Sequence, residues 1–282
     1  MSGAGLIGIK RRIKSITNTK KITKAMGLVA TSKLRKTREM LNINEKYNDS
    51  FNEIINNLLN VLEEPTLYQG NKSDKKLFIA LTSDTGLCGG YNNSIVSATI
   101  EQIKGNFENS QLMIVGQKGR TQFKKLRYET VAEYVELPTL PEIKDANTIA
   151  QHALAMYEKG QVGEVYVVYY KFHSAVKQTV EVEKLLPLEK NNNGKVANYI
   201  GVEPSAEVLQ EKMIISYLKQ RMFNLMLNSK TSEQSSRMEA MNGATQNAND
   251  ILEKLHLKFN RLRQSSITQE ISEIVGGATA QK

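Results

Sequence analysis

The residues with the greatest potential for chemistry form a glycine-rich segment at positions 84–90, with the sequence DTGLCGG. It comes just after an apolar run at 77–82, and a glycine-rich turn between a strand and a helix can bind phosphate through its backbone N–H groups. The segment has neither the G-x-G-x-x-G spacing of dinucleotide-binding turns nor the Gly-Lys-Ser/Thr ending of a P-loop. A tight turn, in which glycine permits positive φ and close helix packing, is the favoured interpretation.

Few other side chains suggest catalysis. Cys88 is the only cysteine, which excludes an intrachain disulfide and fits a reducing compartment. No histidine lies near it in the sequence to activate it as a nucleophile, so a structural role is favoured. His152, His173 and His256 are far apart in the sequence, so a metal site of Cys and His is not expected. With no Ser/His/Asp order and no paired carboxylates, the residues give no positive case for catalysis, a cofactor or a metal.

Positive charge is concentrated at the N-terminus. The 282 residues include 38 Lys and Arg against 29 Asp and Glu, a net charge of +9, yet residues 1–38 hold eleven basic side chains and no acidic one. The remaining residues have 27 basic and 29 acidic side chains, a net charge of −2. Such a basic block can bind nucleic acid, lie on a membrane surface or meet an acidic protein surface. No aromatic residue precedes Tyr47 to stack on bases, but charge alone leaves all three alternatives open.

Composition excludes several other classes of protein. With 40% hydrophobic and 24% charged residues, the chain is ordinary for a folded protein and too apolar for wholesale disorder. No apolar run approaches the ~18–20 residues that span a bilayer. The N-terminus has charges but no apolar segment of the secretory type, so no secretory signal is predicted.

The prolines divide the chain into three zones, because all five lie between positions 65 and 204. Proline interrupts helices, so the two proline-free arms can form long ones. We therefore predict an N-terminal helical domain at 1–64, an inserted domain at 65–204 and a C-terminal helical domain at 205–282.

Both arms carry an apolar stripe with the spacing of three and four residues that is typical of a helix. In the first arm the predicted stripe comprises Ile9, Ile13, Ile16, Ile22, Met26, Val29, Met40, Ile43, Tyr47, Phe51, Ile54 and Leu58. In the last arm it comprises Leu252, Leu255, Phe259, Leu262, Ile267, Ile271 and Ile274. Helices this long outgrow a compact domain, so we expect an antiparallel coiled coil, with close approach over the small residues of 229–248. A helical bundle within a globular domain is the alternative.

The middle zone changes to the pattern of an α/β domain. Runs rich in β-branched and aromatic residues predict strands at 77–82, 111–116, 130–136 and 164–172, and alternation predicts an edge strand at 179–186. Helices are expected at 91–104 and 144–159, the second capped by Asp145. Because strands alternate with helices, the sheet should be largely parallel. The run at 191–194 predicts a turn or loop.

Four segments resemble the gamma subunit of bacterial-type F-type ATP synthases: IKSITNTKKITKAMGLVATSKLRK (13–36), SDTGLCGGYN (83–92), SEQSSRMEAMNGATQNA (232–248) and FNRLRQSSITQEISEIVGGA (259–278). The resemblance covers essentially the whole chain. It implies a long antiparallel coiled coil of N- and C-terminal helices with an inserted Rossmann-like α/β domain, in agreement with the division drawn from the prolines.

The resemblance also implies a function that the patterns alone do not show. The family's gamma subunit is the rotating central shaft that couples transmembrane ion flow to ATP synthesis or hydrolysis in beta subunits, so a non-catalytic subunit is expected. Expected partners are the alpha and beta subunits of the catalytic hexamer, the epsilon subunit and the c-subunit membrane ring, with no nucleic acid and no direct membrane insertion. The expected location is peripheral, on the cytoplasmic face of the plasma membrane. The basic block would then face acidic beta-subunit surfaces.

The family motifs imply seven partner-binding residues. Arg263, Gln264, Thr268 and Glu270 lie in the R-Q-x-x-I-T-x-E segment, which in the family engages a loop of a beta subunit. Lys24 and Met26 match the place where the family's shaft faces acidic levers of the beta subunits, and Arg237 lies in the S-E-Q-x-x-R-M motif. Gly27 departs from the family, which usually has a larger residue there. Since glycine within a helix costs roughly 1 kcal/mol relative to alanine, a softer shaft is expected at that point.

Overall fold

The structure is a computed structural model and describes residues 2–61, 66–189 and 206–280. Two long helices, α1 (Ser2–Val61) and α5 (Ala206–Ala280), flank a five-stranded domain in the sequence. The elements between them are a 3-10 turn (Leu67–Gln69), β1 (Lys76–Leu81), α2 (Tyr91–Lys104), β2 (Ser110–Val115), α3 (Gln117–Lys125), β3 (Ala132–Tyr134), α4 (Ile143–Glu158), β4 (Glu164–Phe172) and β5 (Gln178–Leu186). The loop expected at 191–194 lies outside the described residues.

The sheet has the strand order β3-β2-β1-β4-β5. The first four strands are parallel, and β5 pairs antiparallel with β4 at the edge. The prediction of a largely parallel sheet with an edge strand at 179–186 is therefore confirmed. Along β1, alternate side chains enter two different cores, as the two-residue period of a strand requires. Leu77, Ile79 and Leu81 pack with α1, α4 and α5, whereas Phe78 and Ala80 pack with α2 and α3.

Two local predictions need correction. Helix α3 is not predicted by the sequence pattern, because its sequence QKGRTQFKK is mostly polar and only Gly119 and Phe123 are buried. Asp145 does not occupy the N-cap of α4, which belongs to Glu142. Instead the Asp145 carboxylate accepts a hydrogen bond of 3.1 Å from the Glu142 N–H, so it satisfies a free donor of the first turn from inside the helix.

The chain divides into two compact units, one of Met1–Val29 with Met238–Lys282 and the other of Ala30–Arg237. We call them the two-helix unit and the sheet unit. In the two-helix unit, Thr23 and Thr245 share a hydrogen bond of 2.8 Å, and a Cβ on Gly27 would lie 3.5 Å from that of Met241. A step of four residues forward along α1 thus matches a step of four backward along α5. This pairing is the predicted antiparallel coiled coil.

The buried seam of α1 differs from the predicted stripe. Within the two-helix unit it comprises the half-buried residues Ile9, Ile13, Ile16, Lys20 and Thr23 and the buried Gly27, and within the sheet unit it continues through the buried residues Ala30, Leu34, Thr37, Leu41, Asn44 and Asn48. This alternation of four and three residues is an unbroken heptad. Ile22, Val29, Ile43, Tyr47 and Ile54, which the stripe includes, are exposed instead. Small and polar residues occupy the seam because the two helices lie close together there, so hydropathy alone could not locate it.

Candidate partner-binding surfaces and the glycine-rich turn

The glycine-rich turn at 84–90 is held from within by its own side chains. Gly89 has a φ of 59°, which agrees with the predicted role of glycine in the turn. Asn92 donates hydrogen bonds to Ser83 Oγ at 2.8 Å and to Cys88 Sγ at 3.3 Å. Burial raises the pKa of the Cys88 thiol, so the thiol stays protonated and unreactive at neutral pH. These contacts support a structural role for Cys88.

Arg237 of α5 occupies the open side of this turn. Its Nη2 donates to Thr85 O and Thr85 Oγ1, both at 2.9 Å, and its Nε donates to Gly86 O at 3.2 Å. The turn therefore directs carbonyl oxygens toward a cation. A phosphate site would need N–H donors in that direction, so the geometry does not support a phosphate cradle.

Asp84 joins the turn to two neighbouring loops at the carboxyl end of the sheet. Its Oδ1 accepts hydrogen bonds from the Gln117 N–H at 3.1 Å and from the Glu136 N–H at 2.8 Å. Its Oδ2 lies 3.8 Å from Lys230 Nζ of α5. Lys230 in turn lies 3.2 Å from Glu233 Oε2, and Glu233 Oε1 lies 2.8 Å from Arg237 Nη1. Four charged side chains thus form one row from the sheet to α5.

This row belongs to a part of α5 that is buried on every side. All residues from Met222 to Ser235 are buried, although nine of them are polar: Asn224, Asn228, Ser229, Lys230, Thr231, Ser232, Glu233, Gln234 and Ser235. Tyr91, itself buried, donates its hydroxyl to Leu81 O at 3.2 Å and shares a hydrogen bond of 2.7 Å with Ser229 Oγ. Burying polar groups is tolerated here because they are hydrogen-bonded.

A second ionic contact lies further toward the start of α5. Arg221 donates two hydrogen bonds to the Glu183 carboxylate on β5, one of them at 2.6 Å from Nη2. Burial lowers the pKa of Arg221, but the bonds to Glu183 more than offset it, so the pKa is raised overall. Burial and the Glu183 and Glu181 carboxylates raise the pKa of neighbouring Tyr169 far above its ordinary value. This ion pair therefore adds to the other polar contacts between the sheet and α5, among them the hydrogen bonds of Ser229 to Leu81 O and of Ser232 to Tyr170 O.

The basic N-terminal segment presents its charge to solvent. Nine of its eleven basic side chains are exposed: Lys10, Arg11, Arg12, Lys14, Lys21, Lys24, Arg35, Lys36 and Arg38. Lys20 and Lys33 are half-buried. Among the described residues, none of the eleven takes part in an ion pair. Among the residues that the structure describes, no helix is both long enough and apolar enough to cross a membrane. The charge is therefore available to an external acidic surface.

The C-terminal part of α5 changes from a buried and half-buried seam to an exposed stretch. The seam residues Leu252, Leu255, Phe259 and Leu262 are buried or half-buried as predicted, and the seam ends at Ser266. The pairing of Thr23 with Thr245 places Ser266 beside the first residues of α1. Residues 267–278 are all exposed, including Ile267, Ile271 and Ile274 of the predicted stripe. The prediction that these three residues lie in the seam is therefore wrong.

The seven predicted partner-binding residues do not form a single cluster. Lys24 is exposed and Met26 is half-buried near the middle of the two-helix unit. Arg263, Gln264, Thr268 and Glu270 are exposed at its far end, roughly 30 Å away along the helix axis at ~1.5 Å per residue. Arg237 differs from the other six, because it is 7% exposed and its guanidinium is bound to Glu233 and the turn.

Sequence reasoning missed one surface of the sheet unit. A groove of about 760 Å³ lies between α1, α5 and the start of α4, and Met40, Ile43, Tyr47, Ile143 and Phe223 provide its apolar lining. The hydropathy pattern assigns Ile43 and Tyr47 to the helix seam, so it does not anticipate their exposure. The signal that could have found them is the strict heptad through Leu41, Asn44 and Asn48, which leaves both outside the seam.

Comparisons with known proteins agree with this architecture. The sequence model of the ATP synthase family matches residues 5–281. The ATP synthase gamma chain of Clostridium acetobutylicum is 56% identical over 283 residues, and that of Clostridium novyi is 53% identical over 285 residues. Both alignments cover the whole of each chain.

Solved structures give the same result. The central stalk and c-ring of the Tetrahymena thermophila mitochondrial ATP synthase contains a chain that matches with a TM-score of 0.64 and 26% identity, covering 79% of this chain and 99% of that one. A chain of the Euglena gracilis mitochondrial ATP synthase matches with a TM-score of 0.74 over 99% of this chain and 95% of that one. Its identity is 16%, so it supports the fold alone.

Proposed function

The chain belongs to the gamma-chain family of ATP synthase, and we propose that its two-helix unit turns within a hexamer of alpha and beta subunits. It is the central shaft of the enzyme and a non-catalytic subunit, and ATP is made or hydrolysed at beta-subunit sites. The observation that supports this best is the family match over residues 5–281, together with similarity to a chain of a central stalk and c-ring assembly.

The sheet unit is the part that we assign to the membrane side of the enzyme. There it contacts the epsilon subunit and the ring of c subunits, and ion flow through the membrane turns ring and shaft together. The chain itself is a peripheral protein on the cytoplasmic face of the plasma membrane. No nucleic acid takes part, because the basic segment serves a protein surface.

The two-helix unit is suited to this role because its surface is not the same all round. In this unit, residues 2–29 of α1 carry basic side chains and no acidic one, whereas residues 238–280 of α5 carry both signs. The exposed stretch at 267–278 also lies on α5. A shaft of uniform surface would contact each beta subunit equally and could favour none. Because this shaft is asymmetric, each orientation stabilises a different beta conformation, which is coupling through differential contacts.

Six exposed or half-exposed residues are proposed to make these contacts directly. Lys24 and Met26 contact acidic levers of the beta subunits, and Arg263, Gln264, Thr268 and Glu270 contact a beta-subunit loop. Arg237, the seventh residue of the family motifs, supports this surface from its buried position. The exposure of the first six provides the accessibility that such contacts require.

Assembly with partner subunits tests the shaft function. The purified chain is mixed with alpha and beta subunits from the same source, and the complex is separated by size and its ATPase rate measured. We expect one chain per hexamer of three alpha and three beta subunits, with a changed ATPase rate. A chain that stays separate from the hexamer would contradict the function.

The residue assignments need a separate test with a matched control. Arg263→Gln removes a charge from the proposed loop contact, and Lys258→Gln removes one from an exposed position of the same helix. Removing one partner of a charge-assisted hydrogen bond between two proteins typically weakens binding by roughly 2 kcal/mol. We therefore expect a lower ATPase rate and weaker retention for Arg263→Gln than for Lys258→Gln. Equal effects of the two would contradict the assignment.

A further inference from the structure

The row of charges Asp84, Lys230, Glu233 and Arg237 is unusual for a contact that serves stability alone. Glu233 is 3% exposed, and both it and Lys230 are buried on a helix that has sheet, turn and α1 around it. Removing charges from water is unfavourable, and apolar residues of similar size often stabilise a fold at least as well. The reason for these charges should therefore be sought in their directionality.

Directional bonds define a rotational position that apolar packing does not. Apolar burial is non-directional and allows a helix to turn or slide slightly against a sheet. Charge-assisted hydrogen bonds with a planar guanidinium require a particular geometry. Arg237 has three neighbours at once, the Glu233 carboxylate, Thr85 O and Gly86 O, so its plane is fixed relative to both the helix and the turn.

Through Asp84, the same row of charges is connected to two other loops at the carboxyl end of the sheet. Its Oδ1 receives N–H groups from the start of α3 and from the loop after β3, so three loops of the domain converge on one carboxylate. Lys230 then joins that carboxylate to α5. A rotation of the domain about α5 would have to break the hydrogen bonds of Arg237 to the turn and separate the charges of Asp84 and Lys230, which lie 3.8 Å apart.

We propose that Arg237, Glu233, Lys230 and Asp84 form a torque lock, which fixes the rotational position of the α/β domain on α5. This rests on the shaft function, since a lock of this kind has a purpose where the domain and the helix must turn together. Arg237 is its central positioning residue, because it bonds to two adjacent carbonyl oxygens of the turn, Thr85 O and Gly86 O, and to the Glu233 carboxylate of its own helix. The lock transmits rotation and makes no direct contact with the beta subunits.

The first experiment measures the rigidity of the lock in the isolated full chain. Spin labels on Ser97→Cys of α2 and Ser216→Cys of α5, both exposed, report the distance between domain and helix by pulsed electron paramagnetic resonance. Cys88→Ala is included in every chain to prevent labelling of the native thiol. We expect a narrow distance distribution for this background and a broader or split one for Arg237→Gln. Arg120→Gln, which breaks the exposed ion pair with Glu133 on the same domain, should stay narrow.

The second experiment measures coupling in the assembled enzyme in lipid vesicles. For Arg237→Gln we expect ions moved per ATP hydrolysed to fall roughly twofold or more, the range in which residues of a coupling network act. Arg237→Lys keeps the charge beside Glu233 but lacks the planar fork, so it should show a smaller loss. The reversed pair Glu233→Arg with Arg237→Glu should not recover coupling, because a carboxylate cannot donate to Thr85 O and Gly86 O.

The two experiments separate the lock from the shaft function. A distribution that stays narrow in Arg237→Gln overturns the lock, whether or not the chain assembles with other subunits. A broadened distribution with unchanged ions moved per ATP also overturns it, because the bonds would then not transmit rotation. If the unaltered chain does not join the hexamer, the shaft function fails, and the resonance measurement still decides whether the rigid contact exists.

Discussion

Two stretches of α5 have opposite surroundings, although they belong to the same helix. Residues Met222 to Ser235 in the sheet unit are buried on every side, whereas 267–278 in the two-helix unit are exposed on every side. Nine of the fourteen residues in the buried stretch are polar, and the exposed stretch contains Ile267, Ile271 and Ile274. The usual distribution of polar and apolar residues is thus reversed.

The reversal shows what each stretch is for. In the buried stretch, polar side chains are matched to particular neighbours, as Ser229 is to Tyr91, so they define one arrangement of helix and sheet. In the exposed stretch, three isoleucine side chains face solvent, and large exposed apolar residues mark surfaces that meet another protein. One end of α5 is built to hold a fixed geometry within the chain, and the other is left open to partners.

Of the substitutions considered for α5, Glu233→Gln in the buried stretch should cause the largest loss of stability. Without the carboxylate, Lys230 and Arg237 remain buried with only part of their counter-charge, and breaking a buried ionic contact destabilises by about 3 kcal/mol. Urea unfolding followed by circular dichroism measures the loss. Glu239→Gln, at an exposed position of α5 with no ion pair among the described residues, is the control and should change stability by less than about 0.5 kcal/mol. A similar loss of unfolding free energy in the two variants would mean that the buried row of charges contributes no more to stability than an exposed carboxylate does.

Leu255→Ala tests where the seam of α5 in the two-helix unit ends. Leu255 is 9% exposed in the seam, and removing a buried leucine side chain costs about 2 kcal/mol when water can reach the site. Ile271→Ala, at a side chain that is 56% exposed, should leave the isolated chain almost unchanged. Thermal unfolding of the isolated chain compares the two. An equal loss at Ile271 would indicate that 267–278 is covered after all.

Tyr91→Phe tests the hydrogen bonds of the buried stretch through the pH dependence of stability. At neutral pH the variant removes the hydroxyl that donates to Leu81 O and shares a hydrogen bond with Ser229 Oγ, and an unmade buried hydrogen bond costs roughly 1–2 kcal/mol. Burial raises the pKa of Tyr91 well above its ordinary value of 10.0, so above that pH the unfolded wild-type chain ionises while the folded one does not. Ionisation favours the unfolded state, so the advantage of wild type over the variant should shrink as pH rises from about 10. Urea unfolding at several pH values measures it, and a difference that grows with pH would contradict the assignment. Tyr47→Phe, at an exposed ring, is the control.

Much of the fold could be predicted because its elements contain long apolar runs. Helix α2 and strand β4 have the predicted bounds, and β1, β2, β5 and α4 differ by a residue or so. The seam of α1 could not be located in this way, because Lys20, Thr23 and Asn44 are in it while Ile22 and Ile43 are not. Which side of a helix is buried depends on how closely the partner helix approaches it. The hydropathy of the sequence gives no information on that distance.

The site residues show the same limit more sharply. The motif containing Arg237 could be recognised in the sequence, but its hydrogen bond to Thr85 joins residues 152 positions apart, and no spacing rule links them. The failed match to phosphate-binding motifs favours a structural turn, and the contacts within the turn agree with that interpretation. Its function as an acceptor for a cation is visible only in the structure, where Thr85 O and Gly86 O face Arg237.

Gly27→Ala gives the smallest expected effect and tests how tightly the two-helix unit is packed. A Cβ at this position would lie 3.2 Å from Asn242 Oδ1 and 3.5 Å from Met241 Cβ, and the amide end of an asparagine can move by the few tenths of an ångström required. Alanine is favoured over glycine within a helix by about 1 kcal/mol, so the variant should be more stable by roughly 0.5 kcal/mol after this adjustment.

Gly163→Ala in the sheet unit is the matched contrast, because its Cβ would lie 1.8 Å from Ser73 O, which is a backbone atom and cannot move away as a side chain can. Thermal unfolding should therefore shift upward for Gly27→Ala and downward for Gly163→Ala. A downward shift for Gly27→Ala would show that the close approach of the two helices at this point leaves no room even for a methyl group.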